Sequence, residues 1–434
     1  MLRRSPLLAA AATALLAPAA SAADYVPDEV IVRYASGTEL AAAAGATAVA
    51  PRTRVVNVRA GSTVAATIAR LRRRPGVLRA TPNYIARASF VPDDPGRDYV
   101  AGGWQAVQWN FSGPFGVNAP AAWDNLARAG RPGASGVVVA VLDTGVAYSD
   151  RGRFVRSPDL RGNRFARGYD FVGDDPYPND LNGHGTHVAS TIAESIDNGV
   201  GVTGLAFGAQ IMPVRVLDHL GYGDTARIAR GIRFAASRRA DIINLSFEFR
   251  ESIRAREIPD ILAALRYARR KGALVVGASG NDQSTSIAYP ARADDVVSVG
   301  ATTEHGCLAR YSNTGPLLDL VAPGGGRDAR LPGDPNCHSG RYSYGRDIVQ
   351  MTFTSSVRSF GLPGGFEGTS MAAPHVSGVA ALVIASGVLG RDPSPAAIET
   401  RLKDTARDLG TTPGRDELYG AGLVDAAAAT APPA

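Results

Sequence analysis

Cysteine is nearly absent from this chain: only Cys307 and Cys337 occur among 434 residues. Their spacing argues against a zinc site. Also missing is an apolar run long enough to cross a bilayer. The stretch 376–389 is apolar but short and interrupted by glycine, which suits a buried helix better than a span. A basic patch is lacking too, although the formal net charge is +6. Residues 1–89 hold 12 of the 46 basic side chains but only 4 of the 40 acidic ones, which leaves 34 basic and 36 acidic in the remainder. Nothing here argues for a nucleic-acid partner, and no membrane partner is expected.

What is present is an ordinary globular composition, 45% hydrophobic and 20% charged, with length enough for a full core and more than one domain. The N-terminus reads as a secretory signal over residues 1–22. Arg3 and Arg4 are its charged region, residues 7–16 its apolar core, and Ala20-Ser21-Ala22 its cleavage site. The mature protein is expected to be secreted, extracellular or periplasmic. An oxidising compartment favours a disulfide between Cys307 and Cys337, with two free thiols as the alternative. Residues 23–89 form a small α+β unit, with strands expected over 29–34, 55–58 and 77–80 and helices over 39–44 and 64–71. Such a unit is marginal alone. Its place after a signal suggests a propeptide, the alternative being an ordinary N-terminal domain. A Pro-rich link over 90–96 follows. From residue 136 apolar strands (137–142, 211–216, 242–245, 274–278, 296–299) alternate with helices (187–194, 225–237, 258–271 and one after Ser370). This pattern predicts an α/β fold, a three-layer doubly wound sandwich on a mostly parallel central sheet, with its site at the carboxyl ends of the strands.

Three segments carry candidate chemistry. Gly368-Thr-Ser-Met-Ala-Ala-Pro-His delivers Ser370 to the start of an apolar helix, where free N–H groups and partial positive charge would stabilise an oxyanion. A plain N-cap serine is the alternative. Asp143 ends the strand over 137–142 and precedes Thr144-Gly145; turn chemistry alone could account for it. His184 lies in Asn182-Gly-His-Gly-Thr-His-Val-Ala, and could be no more than a helix-entry histidine. A metal pair of His184 with His187 lacks the glutamate and i,i+4 spacing of a zinc-protease helix. Together, serine, histidine and aspartate make an activated nucleophile: the imidazole takes the hydroxyl proton and the carboxylate orients the imidazole.

The order Asp, His, Ser and all three motifs resemble the subtilisin-like serine proteases, nearest in pattern to secreted bacterial, thermitase-like members. The likeness runs from about residue 23 to 427 and includes the closing Tyr419-Gly-Ala-Gly-Leu-Val-Asp. It implies an endopeptidase that cleaves protein or peptide substrates through an acyl-enzyme on Ser370. Asn281, following Gly280, would be the oxyanion-hole side chain. It further implies that residues 23–89 are an intramolecular inhibitor, removed near Ser89–Phe90 from a monomeric catalytic domain over 90–434. A structural calcium ion would be held by Asp94, Asp159 and the Asn198 side chain, with loop carbonyls of Ile196, Val200 and Val202. Asp170, Asp175 and Asn179 resemble a second calcium site, although Gly173 stands where relatives carry another acid. The S1 walls would be Ser246-Phe247-Glu248 and Ala278-Ser279-Gly280, with Ala288 near the floor. Relatives commonly have glycine at the place of Glu248, whose acid could attract basic substrate side chains or simply face solvent. Residues 324–366 read as a surface insertion stapled by the disulfide. A non-catalytic binding protein of the same fold and an esterase on the same triad are the rival readings.

Overall fold

A computed structural model describes residues 25–35, 47–50, 52–84, 91–97, 100–411 and 413–432. The expected signal, the helix over 39–44 and the cut near Ser89–Phe90 lie outside the described residues. The chain divides into two compact units, one running to residue 89 and the other over 90–431.

The first unit is an antiparallel sheet in the order β2-β3-β1-β4 with one helix. Its strands are β1 (Tyr25–Tyr34), β2 (Thr47–Ala50), β3 (Thr53–Asn57) and β4 (Val77–Tyr84), and its helix is α1 (Val64–Arg72). Thr63 caps α1 by accepting the Ala66 N–H. The core is small, built from Val30, Val32, Val64, Leu71 and Ala80. The α+β reading holds, with β1 and β4 longer than expected. β2 is an addition, because its small residues carry little strand pattern.

The second unit is built on a seven-stranded sheet in the order β11-β10-β9-β8-β5-β7-β6, and every pairing in it is parallel. Its strands are β5 (Val138–Asp143), β6 (Tyr169–Asp170), β7 (Gln210–Arg215), β8 (Ile242–Leu245), β9 (Leu274–Ala278), β10 (Val296–Thr302) and β11 (Leu320–Pro323). The helices are α2 (Gly103–Val107), α3 (Trp109–Ser112), α4 (Ala119–Arg128), α5 (His184–Ala193), α6 (Thr225–Ser237), α7 (Pro259–Arg270), α8 (Thr369–Ser386), α9 (Pro395–Asp404) and α10 (Ala426–Thr430). Strand periodicity sorts the side chains into two layers. Val139 and Val141 enter one core with α4, α5, α8 and α10. Ala140 and Leu142 enter the other with α6 and α7. These amphipathic outer helices are well signalled: Asp224 caps α6, while α7 opens on Pro259 and ends with Arg269 and Arg270.

Helix α8 is apolar on all sides and occupies the centre. By length and composition it could cross a membrane, but 78% of it is buried inside the fold, as the interrupted apolar run suggested. Its Gly378 packs so closely on Leu205 that an added Cβ would lie 2.8 Å from that side chain. β6 and β11 went unread because they are short. The segment 324–366 departs from a simple surface insertion. The disulfide Cys307–Cys337 is formed, and β12 (Thr352–Ser356) pairs with β13 (Ser359–Gly361) as a hairpin. Between them, however, Ile348 and Gln350 are fully buried, with the Ile348 and Met351 carbonyls bonded to His187 and Ser190 of α5.

Candidate active site

Asp143 with His184, and Asn281 with the segment that carries Ser370, lie at the carboxyl ends of the parallel strands. Asp143 is the last residue of β5 and is fully buried. Its Oδ1 accepts the Thr144 N–H at 2.7 Å and lies 2.8 Å from His184 Nδ1. Gly185 is required at this crossing, since a Cβ there would lie 2.2 Å from the Gly145 carbonyl. Burial acts to lower the His184 pKa, but the charge and hydrogen bond of Asp143, helped by Asp180, outweigh it and leave it raised.

Asp180, which sequence reasoning missed, organises this corner. It is fully buried. Its Oδ1 accepts from Thr144 Oγ1, Asn182 N and Gly183 N, and its Oδ2 from the Thr186 N–H and hydroxyl. By taking N–H groups at the start of α5 it begins that helix at His184, three residues before the expected start. An acid three residues ahead of a glycine helix entry was the available signal.

Ser370 occupies the first turn of α8 after Gly368. Its hydroxyl donates to the Ser246 carbonyl at 3.0 Å, and the Ser246 hydroxyl returns a bond to the Ser370 carbonyl at 2.8 Å. Asn244 donates to Ser246 Oγ and accepts from Ser377 Oγ, so β8 and α8 are tied together beneath the serine. Asn281 follows β9. Its Oδ1 accepts both the N–H and the hydroxyl of Thr369 at 2.9 and 3.1 Å, which leaves Nδ2 as the donor, here turned toward Glu248 Oε1 at 3.4 Å.

The expected S1 walls adjoin this group. Ala278 ends β9, and the Ser279 carbonyl accepts the Ala288 N–H at 2.8 Å, so Ala288 backs that wall. Phe247 packs against the α6–α7 layer. Glu248 does not face solvent, as one reading allowed. It turns onto the opposite wall, where its Oε1 lies 3.4 Å from Asn281 Nδ2 and its Oε2 is buried without a partner. Burial and the charge of Asp282 raise its pKa. His187 is a core residue, stacked on Phe366 at 4.1 Å and donating from Nε2 to Ile348. Burial pulls its pKa down to about 3.

Asp94 and Asp159 are both buried and adjacent. Asp159 accepts from Asn198 Nδ2 at 2.7 Å and from the Val202 N–H at 3.0 Å; Asp94 accepts from the Asn198 N–H and keeps Oδ2 buried without a partner. Burial raises Asp159 to about 8 and Asp94 to about 6, and for Asp159 the charge of Asp94 adds to it. Glu194 is a third buried carboxyl, held well above its ordinary value by burial and then by Asp159. Crowded acids with an orphaned oxygen fit a hard oxygen-seeking cation, although Asn198 presents its amide nitrogen to Asp159. The resemblance to a second calcium site is corrected. Asp170 is committed to a buried ion pair with Arg215 at 2.8 Å and to the N–H groups of Val172 and Gly173.

A sequence profile described as the Subtilase family matches residues 134–422, and one described as the Fervidolysin N-terminal prodomain matches residues 11–83. The chain is 36% identical over 372 residues to the "Thermophilic serine proteinase" of Bacillus sp. (strain AK1), covering 84% of this chain and 79% of that protein. It is 38% identical over 328 residues to "Subtilisin Savinase" of Lederbergia lenta, covering 75% and 99%. Among solved structures, a protease from Pseudoalteromonas arctica PAMC 21717 superposes with a TM-score of 0.61 at 33% identity, covering 78% of this chain and 98% of that one.

Proposed function

The chain belongs to the subtilase family and is a subtilisin-like serine endopeptidase, and from that premise we propose that Ser370 is its nucleophile, His184 the general base and acid, Asp143 the orienting carboxylate and Asn281 an oxyanion donor. The observation that carries this reading is the buried Asp143 carboxylate 2.8 Å from His184 Nδ1. It leaves Nε2 free to accept the Ser370 proton. Rotation of the hydroxyl from the Ser246 carbonyl toward Nε2 would begin the reaction; in enzymes without substrate such bonds are often loose. Attack on the scissile carbonyl then forms a tetrahedral oxyanion, held by Asn281 Nδ2 and the Ser370 N–H. Imidazolium returns the proton to the leaving amine, and water, deprotonated by the same ring, releases the acyl group. The same geometry could turn over esters, so matched ester and amide substrates rank the two activities.

The protein is read as secreted, with a signal over 1–22, an inhibitory propeptide over 23–89 and a catalytic domain over 90–434, acting on protein or peptide substrates as a monomer. Support comes from the prodomain match and from the charged and apolar N-terminal pattern. Asp94, Asp159, Asn198 and the carbonyls of Ile196, Val200 and Val202 would hold calcium, whose charge would replace protons on the crowded acids. At S1, the small Ala288 favours large apolar side chains, while Glu248 lies against Asn281 Nδ2 and would yield that donor to the oxyanion. Intact mass of the wild type beside Ser370→Ala tests the whole. Only the wild type should lose residues 23–89 and label with a fluorophosphonate. A Ser370→Ala chain that matures unaided would overturn the assignment, and maturation without labelling would favour a non-catalytic protein.

A further inference from the structure

The loops joined by the disulfide gather three metal-ligating side chains that the chemistry above does not use. Both imidazoles present Nδ1 to one carboxylate oxygen, Asp328 Oδ2, His305 at 3.0 Å and His338 at 3.1 Å. One donor atom from each of the three residues lies within 4.8 Å of the others. A tetrahedral ion with bonds of about 2.0–2.2 Å separates its ligand atoms by roughly 3.3–3.6 Å, so small side-chain rotations would close this set on a cation. We propose that His305, Asp328 and His338 form a structural site for a four-coordinate divalent cation of zinc's class, with water in the fourth position.

Three features support it. The donor set, two imidazoles and one carboxylate, suits zinc, copper or nickel and not calcium, which takes six or more oxygens. The set is also held in advance. The Asp328 side chain is fully buried; its Oδ1 accepts the Thr303 hydroxyl at 2.6 Å and its Oδ2 the His338 N–H at 2.9 Å. The Cys307–Cys337 bridge links the two histidine-bearing segments, each histidine lying within two residues of a bridged cysteine. Finally, the surroundings match what a metal-bound imidazole uses. With Nδ1 on the ion, His305 Nε2 faces Glu304 at 3.9 Å, and Glu304 is itself fixed by Arg346 at 2.5 Å. The His338 side chain is 47% exposed, which gives solvent a way to the open position.

The test uses the full chain carrying Ser370→Ala to prevent self-digestion, with calcium in excess to fill oxygen sites. Zinc is titrated by calorimetry, and cobalt(II) is followed in the visible. One equivalent of zinc should bind without displacement by calcium, and cobalt should give the intense absorption of a four-coordinate ion. His305→Gln and His338→Gln should each weaken zinc at least ~10-fold, while His219→Gln, at an exposed histidine outside the cluster, should leave it unchanged. Circular dichroism confirms that each variant is folded. Zinc uptake no greater than that of the folded double variant His305→Gln/His338→Gln would overturn the site, as would uptake that neither substitution weakens.

Discussion

In the proposed mechanism the Asp143–His184 pair sets the pH behaviour of the enzyme. The imidazole must be neutral to accept the Ser370 proton, and its pKa is raised above the ordinary 6.5. Activity should therefore rise with pH along an acid limb whose midpoint lies above 6.5. A kcat/KM profile checks this, and a midpoint below that value would contradict the pairing. Asn281 is held by Thr369 through Oδ1, and in the proposed mechanism its Nδ2 exchanges Glu248 for the oxyanion. Asn281→Ala should lower kcat by about 10²–10³ with little change in KM, the loss known for the corresponding donor of subtilisin itself. The residues proposed as the triad were legible because each sits in a local motif of small residues at a strand or helix end. Glu194 and the inward turn of Glu248 were not, because their roles depend on partners distant in the chain, such as Asn281 for Glu248 and Met351 for Glu194.

At the scale of elements, the elements that could be read were the long periodic ones. Residues 225–237, 242–245 and 274–278 emerged with the bounds expected, since an apolar stripe or a continuous apolar run states its own period. Short strands such as β6 and β11 exist only because a neighbour pairs with them. The segment 324–366 shows the same dependence: its apolar Ile348, Val349 and Met351 stand within a Gly- and Arg-rich stretch that read as surface, yet α5 supplies bonds for the Ile348 and Met351 carbonyls. The disulfide closes a separation of 30 residues in this region. Loop-entropy reasoning predicts that Cys307→Ser/Cys337→Ser loses roughly 3–4 kcal/mol of stability. Denaturant melts of the Ser370→Ala chain with and without the double substitution measure it, and an unchanged midpoint would show that α5 and the hairpin already hold the loop.

For the whole molecule, the crowded acids beneath the loop over 196–202 would connect folding to the proposed calcium ion. Asp94 and Asp159 are raised from 3.8 to about 6 and about 8. A raised carboxyl binds a proton more tightly when folded, so its stabilising contribution is full below pH 3.8 and lost as pH rises through its folded value. Without calcium, Tm should fall between about pH 4 and pH 8. Calcium should abolish the fall, and Asp159→Asn should reduce both the fall and the response to calcium. Melting curves in chelator and in calcium decide it; a Tm independent of pH in chelator would remove the case for a cation there.

The amino-acid sequence by itself determined the alternating α/β order, the family, the four residues proposed for catalysis and the apolar helix behind Ser370. These follow from periodicity, turn chemistry and short motifs, which are written in neighbouring residues. Only the tertiary structure decided that Glu248 turns onto Asn281, that Arg215 takes Asp170, and that His305, Asp328 and His338 converge. Each of these is a contact between residues far apart in the chain, set by how the sheet brings its loops together, and no local pattern encodes it.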